Sequence, residues 1–306
     1  MNDYIICTQS IRNQKFGNEP GKTTYLKVPN NAETFLPEHK VSLSDFFGDI
    51  INKEQENIII FIHGYNTEDN EVLDRHRTLK AGFEKQGFDG DLITFAWPSN
   101  NNPLLYLEDR HDAKKTAFEL VDSCIKFLAK QQGKNCTISV NLIAHSTGAY
   151  VIYEAFNDSE TTKATAETNW SVSQILLISG DVSSDSMNSE RGQSVYRHCN
   201  RLTNYYNPYD SILAISNVKR VGAQNRAGRV GLPQNSPSKA VDVNCGDYYN
   251  KNKEKIYVKV GSHSHSWYFY SDVWFKDAYA TILGNLDRTV IPGRIAQSDG
   301  DVTLVG

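Results

Sequence analysis

Ile138-Ser139-Val140-Asn141-Leu142-Ile143-Ala144-His145-Ser146-Thr147-Gly148-Ala149 reads as a buried apolar strand that breaks at a serine and turns at once into a helix. A turn this tight lifts the serine hydroxyl away from the sheet, and it tolerates only small residues two positions to either side, here Ala144 and Gly148. The resulting Ala-x-Ser-x-Gly is a weak signal as a bare pattern. Its setting makes it strong, because an apolar strand precedes it and the helical run Tyr150, Val151, Tyr153, Glu154, Ala155, Phe156 follows.

Outward from this junction, short apolar runs alternate with longer amphipathic ones, the pattern of a mainly parallel sheet covered by helices on both faces. We read strands at 3–8 and 23–28, joined by the polar stretch from Arg12 to Lys22, then at 57–62, 91–97, 138–144, 174–179, 201–206 and 255–260. Helical patterns occupy 70–86, 108–131, 147–157 and 271–284, so right-handed crossovers place helices on the two sheet faces. Residues 219–253, with several glycines and prolines, read as one long loop. We expect one domain over 1–306: N-terminal strands and loop to 56, a catalytic core over 57–290 and a tail over 291–306.

Composition narrows the function. The 306 residues are 39% hydrophobic, enough for a large core, and the net charge of -4 gives no general electrostatic grip on nucleic acid. The five cysteines, Cys7, Cys124, Cys136, Cys199 and Cys245, are scattered with no C-x-x-C spacing, as in a protein of reduced thiols with neither disulfide frame nor zinc cluster. The start of the chain lacks the basic and long apolar regions of a secretory signal, and no segment approaches 18 uncharged apolar residues, so we expect a cytoplasmic protein without a membrane span.

A nucleophilic serine needs a base, a carboxylate to orient that base, and donors for the oxyanion. Past the strand at 201–206 comes Asn207-Pro208-Tyr209-Asp210, and past the strand at 255–260 comes Gly261-Ser262-His263-Ser264-His265-Ser266. Both lie where sites form in open parallel sheets, beyond the carboxyl ends of strands. Asp181 is the rival acid and His263 the rival base. Upstream, Ile62 leads into His63-Gly64-Tyr65-Asn66, where Gly64 permits a sharp turn and the Tyr65 amide, with that of Thr147, is placed to face a substrate oxygen. His63 reads as a brace for that loop, His145 as packing against neighbouring loops, and Trp97 with Pro98 as pocket walls. The His-x-His pair lacks the carboxylates or helical spacing of a metal site.

The elbow, the His63-Gly64-Tyr65-Asn66 loop, Phe95-Ala96-Trp97-Pro98-Ser99, Asp181-Val182 and His265-Ser266 form a recognisable series. Together they resemble a bacterial α/β-hydrolase family catalogued as a domain of unknown function, over nearly the whole chain, with Cys7-Thr8-Gln9-Ser10 where the family tends to read Ala-Thr-Asn-Arg. The resemblance implies a three-layer α/β-hydrolase fold with Ser146 as nucleophile, Asp210 as acid and His265 as base. Where many relatives carry Met and Asn beside the elbow, this chain has Thr147 and Ala149, a departure that bears on substrate preference. The expected activity is hydrolysis of small-molecule or lipid esters by a serine esterase without metal or organic cofactor; the alternative is a non-catalytic or lipid-acting effector or binding protein on the same fold. Segments 98–110, bearing Leu104 to Leu107, and 183–200 are candidate lids, and Trp267-Tyr268-Phe269-Tyr270 with Trp274 and Phe275 reads as core.

Overall fold

A computed structural model describes residues 2–51, 57–65, 67–99, 106–131, 138–161, 170–218, 224–298 and 301–306. Its centre is an eleven-stranded sheet in the order β10-β11-β9-β8-β7-β6-β4-β5-β1-β2-β3. These strands are β1 Asn2–Arg12, β2 Lys15–Pro29, β3 Lys40–Val41, β4 Asn57–Ile62, β5 Asp91–Ala96, β6 Ser139–His145, β7 Val172–Ile178, β8 Cys199–Tyr206, β9 Ala240–Asn244, β10 Arg294–Ala296 and β11 Val302–Leu304. From β1 to β11 the pairing is parallel, and antiparallel strands close both edges.

The period of two along each buried strand sorts side chains to the two faces. Ile58, Ile60 and Ile62 of β4 meet one face, packed with α1 (Leu43–Ile51), α3 (Tyr106–Leu120), α4 (Lys126–Gln131) and α5 (Gly148–Thr161). Ile59 and Phe61 meet the other, where Leu79 and Phe83 of α2 (Asp69–Lys85) pack with Trp274, Phe275, Ala278 and Ile282 of the helix Asp272–Leu283. This is a three-layer α/β fold. The aromatic run Trp267, Tyr268 and Phe269 is core, as expected, in a 3-10 turn ahead of that last helix. Cys7, Cys124, Cys199 and Cys245 are buried free thiols.

Four readings change. Residues 255–260 form no strand; they cross the surface with only Ile256 and Val258 packed on the core, so the alternation reports a segment lying against the protein rather than inside a sheet. The strand in this part of the chain is β9, inside the stretch read as one loop. It is five residues long and carries a buried carboxylate, Asp242, made tolerable by Asn204 Nδ2 at 2.6 Å and the Leu232 amide at 2.5 Å. The opening strands extend into one long hairpin whose two-residue tip, Asn13 and Gln14, takes the left-handed conformation that such turns demand (φ 48° and 61°). Residues 294–296 and 302–304, read as part of a tail, add β10 and β11 to the sheet.

Of the candidate lids, 183–200 is built into the body, with Met187, Val195 and Tyr196 in the core and a helix at Gln193–Arg197. Residues 100–105 of the other lie outside the described residues.

Candidate active site

Ser146 sits between β6 and α5 with φ 55°, a left-handed conformation that a residue bearing a Cβ adopts at a cost of about 1–3 kcal/mol. Two backbone bonds to the end of β7 hold it there: Ser146 N donates to the Ile178 carbonyl at 3.1 Å, and Asp181 N donates to the Ser146 carbonyl at 2.8 Å. The small residues read from the pattern have steric reasons. A Cβ on Gly148 would lie 2.4 Å from the Ile62 carbonyl oxygen, and one on Gly64 would lie 2.8 Å from Ser146 Cβ. The loop after β4 thus touches the elbow, and only glycine allows the approach.

Asp210 is the residue before the helix Ser211–Val218 and caps it, its Oδ1 accepting from the Ile212 and Leu213 amides, each at 3.0 Å. Its Oδ2 is left for His265 Nδ1, at 2.7 Å. The arrangement assigns the ring proton to Nδ1, where it donates to the carboxylate, and leaves Nε2 as the acceptor. His265 rides on the short helix His263–Ser266, which is fastened to the Asp210 loop: Asn207 Nδ2 donates to the Ser264 carbonyl at 2.9 Å, and Ser264 Oγ accepts from the Ser211 amide at 3.1 Å. Asn207 and Ser264 escaped the sequence reading, since only the fold joins loops more than fifty residues apart.

The two rivals have other partners. His263 Nε2 bonds the Ile256 carbonyl at 2.8 Å and its Nδ1 bonds the Tyr249 hydroxyl at 3.1 Å, away from Ser146. Asp181 pairs with Arg226 Nε at 3.0 Å.

Ser146, His265 and Tyr65 line one cavity of about 190 Å³, together with Gly64, His145 and Arg75. Asp210 stands behind His265, fully buried. Thr147, also fully buried, is the residue immediately before α5, at the helix end where N–H groups lack intrahelical acceptors. No hydrogen bond links Ser146 Oγ to His265 among the described residues; in free enzymes this contact commonly closes only with substrate.

Two further histidines, His63 and His145, line the cavity. His63 Nδ1 donates to the Gly64 carbonyl at 2.7 Å while Nε2 accepts from the Trp97 amide at 3.2 Å, and burial lowers its pKa from 6.5 to about 4. It braces the loop as a neutral ring. Trp97, read as a pocket wall, is fully buried and outside the cavity lining, stacked on His63 at 5.3 Å with its indole N–H donating to the His63 carbonyl at 2.8 Å. His145 Nε2 lies 3.1 Å from the His265 carbonyl, and burial first, then the neighbouring His265 and Arg75, drives its pKa well below the usual value.

The three layers and the serine at a strained strand-to-helix junction define an α/β hydrolase. The chain belongs to the family described as "Alpha/beta hydrolase of unknown function" (DUF900), whose model matches residues 39–244. The matched span includes Ser146 and Asp210, and it leaves out the opening strands and His265, so it is narrower than the resemblance read from the sequence. No curated protein matches the chain. Among solved structures, lipase B from Aspergillus fumigatus is 15% identical with a TM-score of 0.42, aligning 81% of this chain with 59% of its own, so the chain spans about three-fifths of that lipase. MenH from S. aureus is 14% identical over 76% of this chain and 95% of its own, with a TM-score of 0.35. A Trichoderma reesei cutinase in complex with a phosphonate inhibitor is 11% identical over 79% and 82%, with a TM-score of 0.32. No helix among the described residues is long and apolar enough to cross a membrane.

Proposed function

We propose that the protein is a serine hydrolase cleaving carboxylic esters, with Ser146 as nucleophile, His265 as general base and then general acid, and Asp210 holding the imidazole. The observation that carries this reading is the convergence on one cavity of a serine in left-handed conformation and a histidine whose Nδ1 is 2.7 Å from a buried carboxylate. His265 Nε2 takes the Ser146 proton as Oγ attacks the ester carbonyl, and the Tyr65 and Thr147 amides receive the negative charge that forms on the oxygen. The same imidazole returns the proton to the leaving alcohol. Water, deprotonated in turn by Nε2, then releases the acid from Ser146. None of these steps calls for a cofactor.

The test is a fluorophosphonate probe and a series of p-nitrophenyl esters of rising acyl length, on the wild type and Ser146→Ala. The expected result is labelling and turnover in the wild type and loss of both in a folded variant. Equal hydrolysis by the two proteins would remove Ser146 from the mechanism, and a folded wild type that neither labels nor turns over would point to a binding protein.

A further inference from the structure

Arg75 is buried in the wall of the cavity that Ser146 and His265 share, only 7% exposed. It stands on the inward face of α2, in step with Val72, Leu79 and Phe83. Its guanidinium lies 4.1 Å from the centre of the Phe269 ring and 5.8 Å from that of Tyr270. Nη2 donates to the Val260 carbonyl at 2.6 Å, whereas Nη1 is buried with no hydrogen-bond partner among the described residues.

No carboxylate in the described structure forms an ion pair with it. Asp74, one position before it, is paired with Lys259 at 2.7 Å, and Glu71, at the cavity rim, accepts the Glu68 amide at the start of α2. Holding a guanidinium out of water with no carboxylate in contact is unfavourable, and burial accordingly lowers its pKa, opposed in part by Tyr270 and by the more distant charges of Glu71 and Asp74. The bond to Val260 does not explain the choice of residue, since one neutral N–H would make it. What a cation of this shape adds is a planar set of donors matched to a carboxylate or a phosphate, at a buried position where such contacts are strong.

The geometry points to Arg75 as an anion-recognition residue, and to a substrate that is a short ester carrying a carboxylate or phosphate group close to its reacting carbonyl. This rests on the esterase reading above. Shortness follows from the cavity, whose 190 Å³ is below the roughly 300–1,000 Å³ common for small-molecule sites.

The test compares matched substrates on the wild-type protein: p-nitrophenyl hemisuccinate against its neutral methyl ester, and acetylglycerol 3-phosphate against acetylglycerol. The first pair offers a carboxylate and the second a phosphate. We expect kcat/KM at least about tenfold higher for the anionic member of one pair, as a charge-assisted hydrogen bond supplies, and the pair that responds identifies the anion. In Arg75→Gln that ratio should fall towards one, with Arg75→Lys in between, whereas a merely structural role would depress both members alike and leave the ratio unchanged. Should Arg75→Gln fail to fold, the wild-type ratios decide alone. Neutral and anionic esters hydrolysed equally well by a protein that labels at Ser146 would overturn the assignment of Arg75 and leave the esterase intact. A protein that neither labels nor hydrolyses any of the four would overturn both.

Discussion

Asp181 and Asp210 stand just past the ends of neighbouring strands, β7 and β8, and both are buried, yet they do different work. Asp181 faces the guanidinium of Arg226 at 3.0 Å, while its backbone N–H holds the Ser146 carbonyl. Asp210 caps a helix with one oxygen and offers the other to an imidazole that can gain and lose a proton. Position at the carboxyl edge of the sheet is shared by the two, and the partner sets the role. Arg226 makes Asp181 a fixed strut, whereas in the mechanism proposed above Asp210 orients the His265 imidazole.

The sharpest way to break this comparison is Asp210→Asn. Asparagine caps a helix as well as aspartate, so the fold should persist, but the amide no longer holds His265 in the productive tautomer. We expect kcat to fall by about 10⁴-fold, equivalent to ~5.5 kcal/mol, with Tm nearly unchanged; a loss of less than tenfold would assign the acid elsewhere. Asp181→Asn should do the reverse. Withdrawing the negative charge beside buried Arg226 should destabilise the fold by about 3–5 kcal/mol, seen as a lower Tm, with a far smaller loss of kcat in the folded fraction. Equal damage to kcat from both substitutions would erase the distinction.

Gly64→Ala probes how tightly the nucleophile itself is held. The new methyl would sit 2.8 Å from Ser146 Cβ, so one of them must move. A displacement of that kind should lower kcat by about 10²-fold with a modest fall in Tm, and unchanged kinetics would mean that the elbow has slack.

Acid gives the smallest effect, through two buried histidines beside these loops. Burial holds His63 at about 4 and His145 well below its ordinary value of 6.5, so between those limits the unfolded chain takes up protons that the folded one refuses. Stability is therefore full above about pH 6.5 and declines as pH falls towards 4, by up to about 1.4 kcal/mol per pH unit for each ring. Tm measured from pH 8 to 4 should drop on the acid side, less steeply in His63→Gln, and a flat profile in the wild type would contradict the neutral brace.

The parts legible in the sequence are those where one periodicity dominates. β4 to β7 are largely apolar runs, α2 and the last helix carry clear stripes, and the serine junction combines strand, small residues and helix within twelve positions. Asp210 and His265 stood out because each closely follows a stretch read as a strand, although the stretch before His265 is none: residues 256–260 alternate because one side rests on the core. β9 was hidden by its shortness and its buried aspartate, whose tolerance depends on Asn204, thirty-eight residues away. Arg75 was overlooked because arginine on a helix normally faces water. Its place in the apolar stripe of Val72, Leu79 and Phe83 was the available signal, but the aromatic ring that receives it lies far along the chain.

β11 extends the parallel sheet beside β9, and Arg294, leading into β10, reaches back to Asp277 at 2.6 Å and to the Tyr205 hydroxyl at 2.9 Å. The final strands therefore act as a seal. Proteolytic trimming before residue 294 would bare the backbone of Ala-Val-Asp-Val-Asn as a ready template for another chain, so solubility, more than catalysis, should be the first property to suffer from shortening this end.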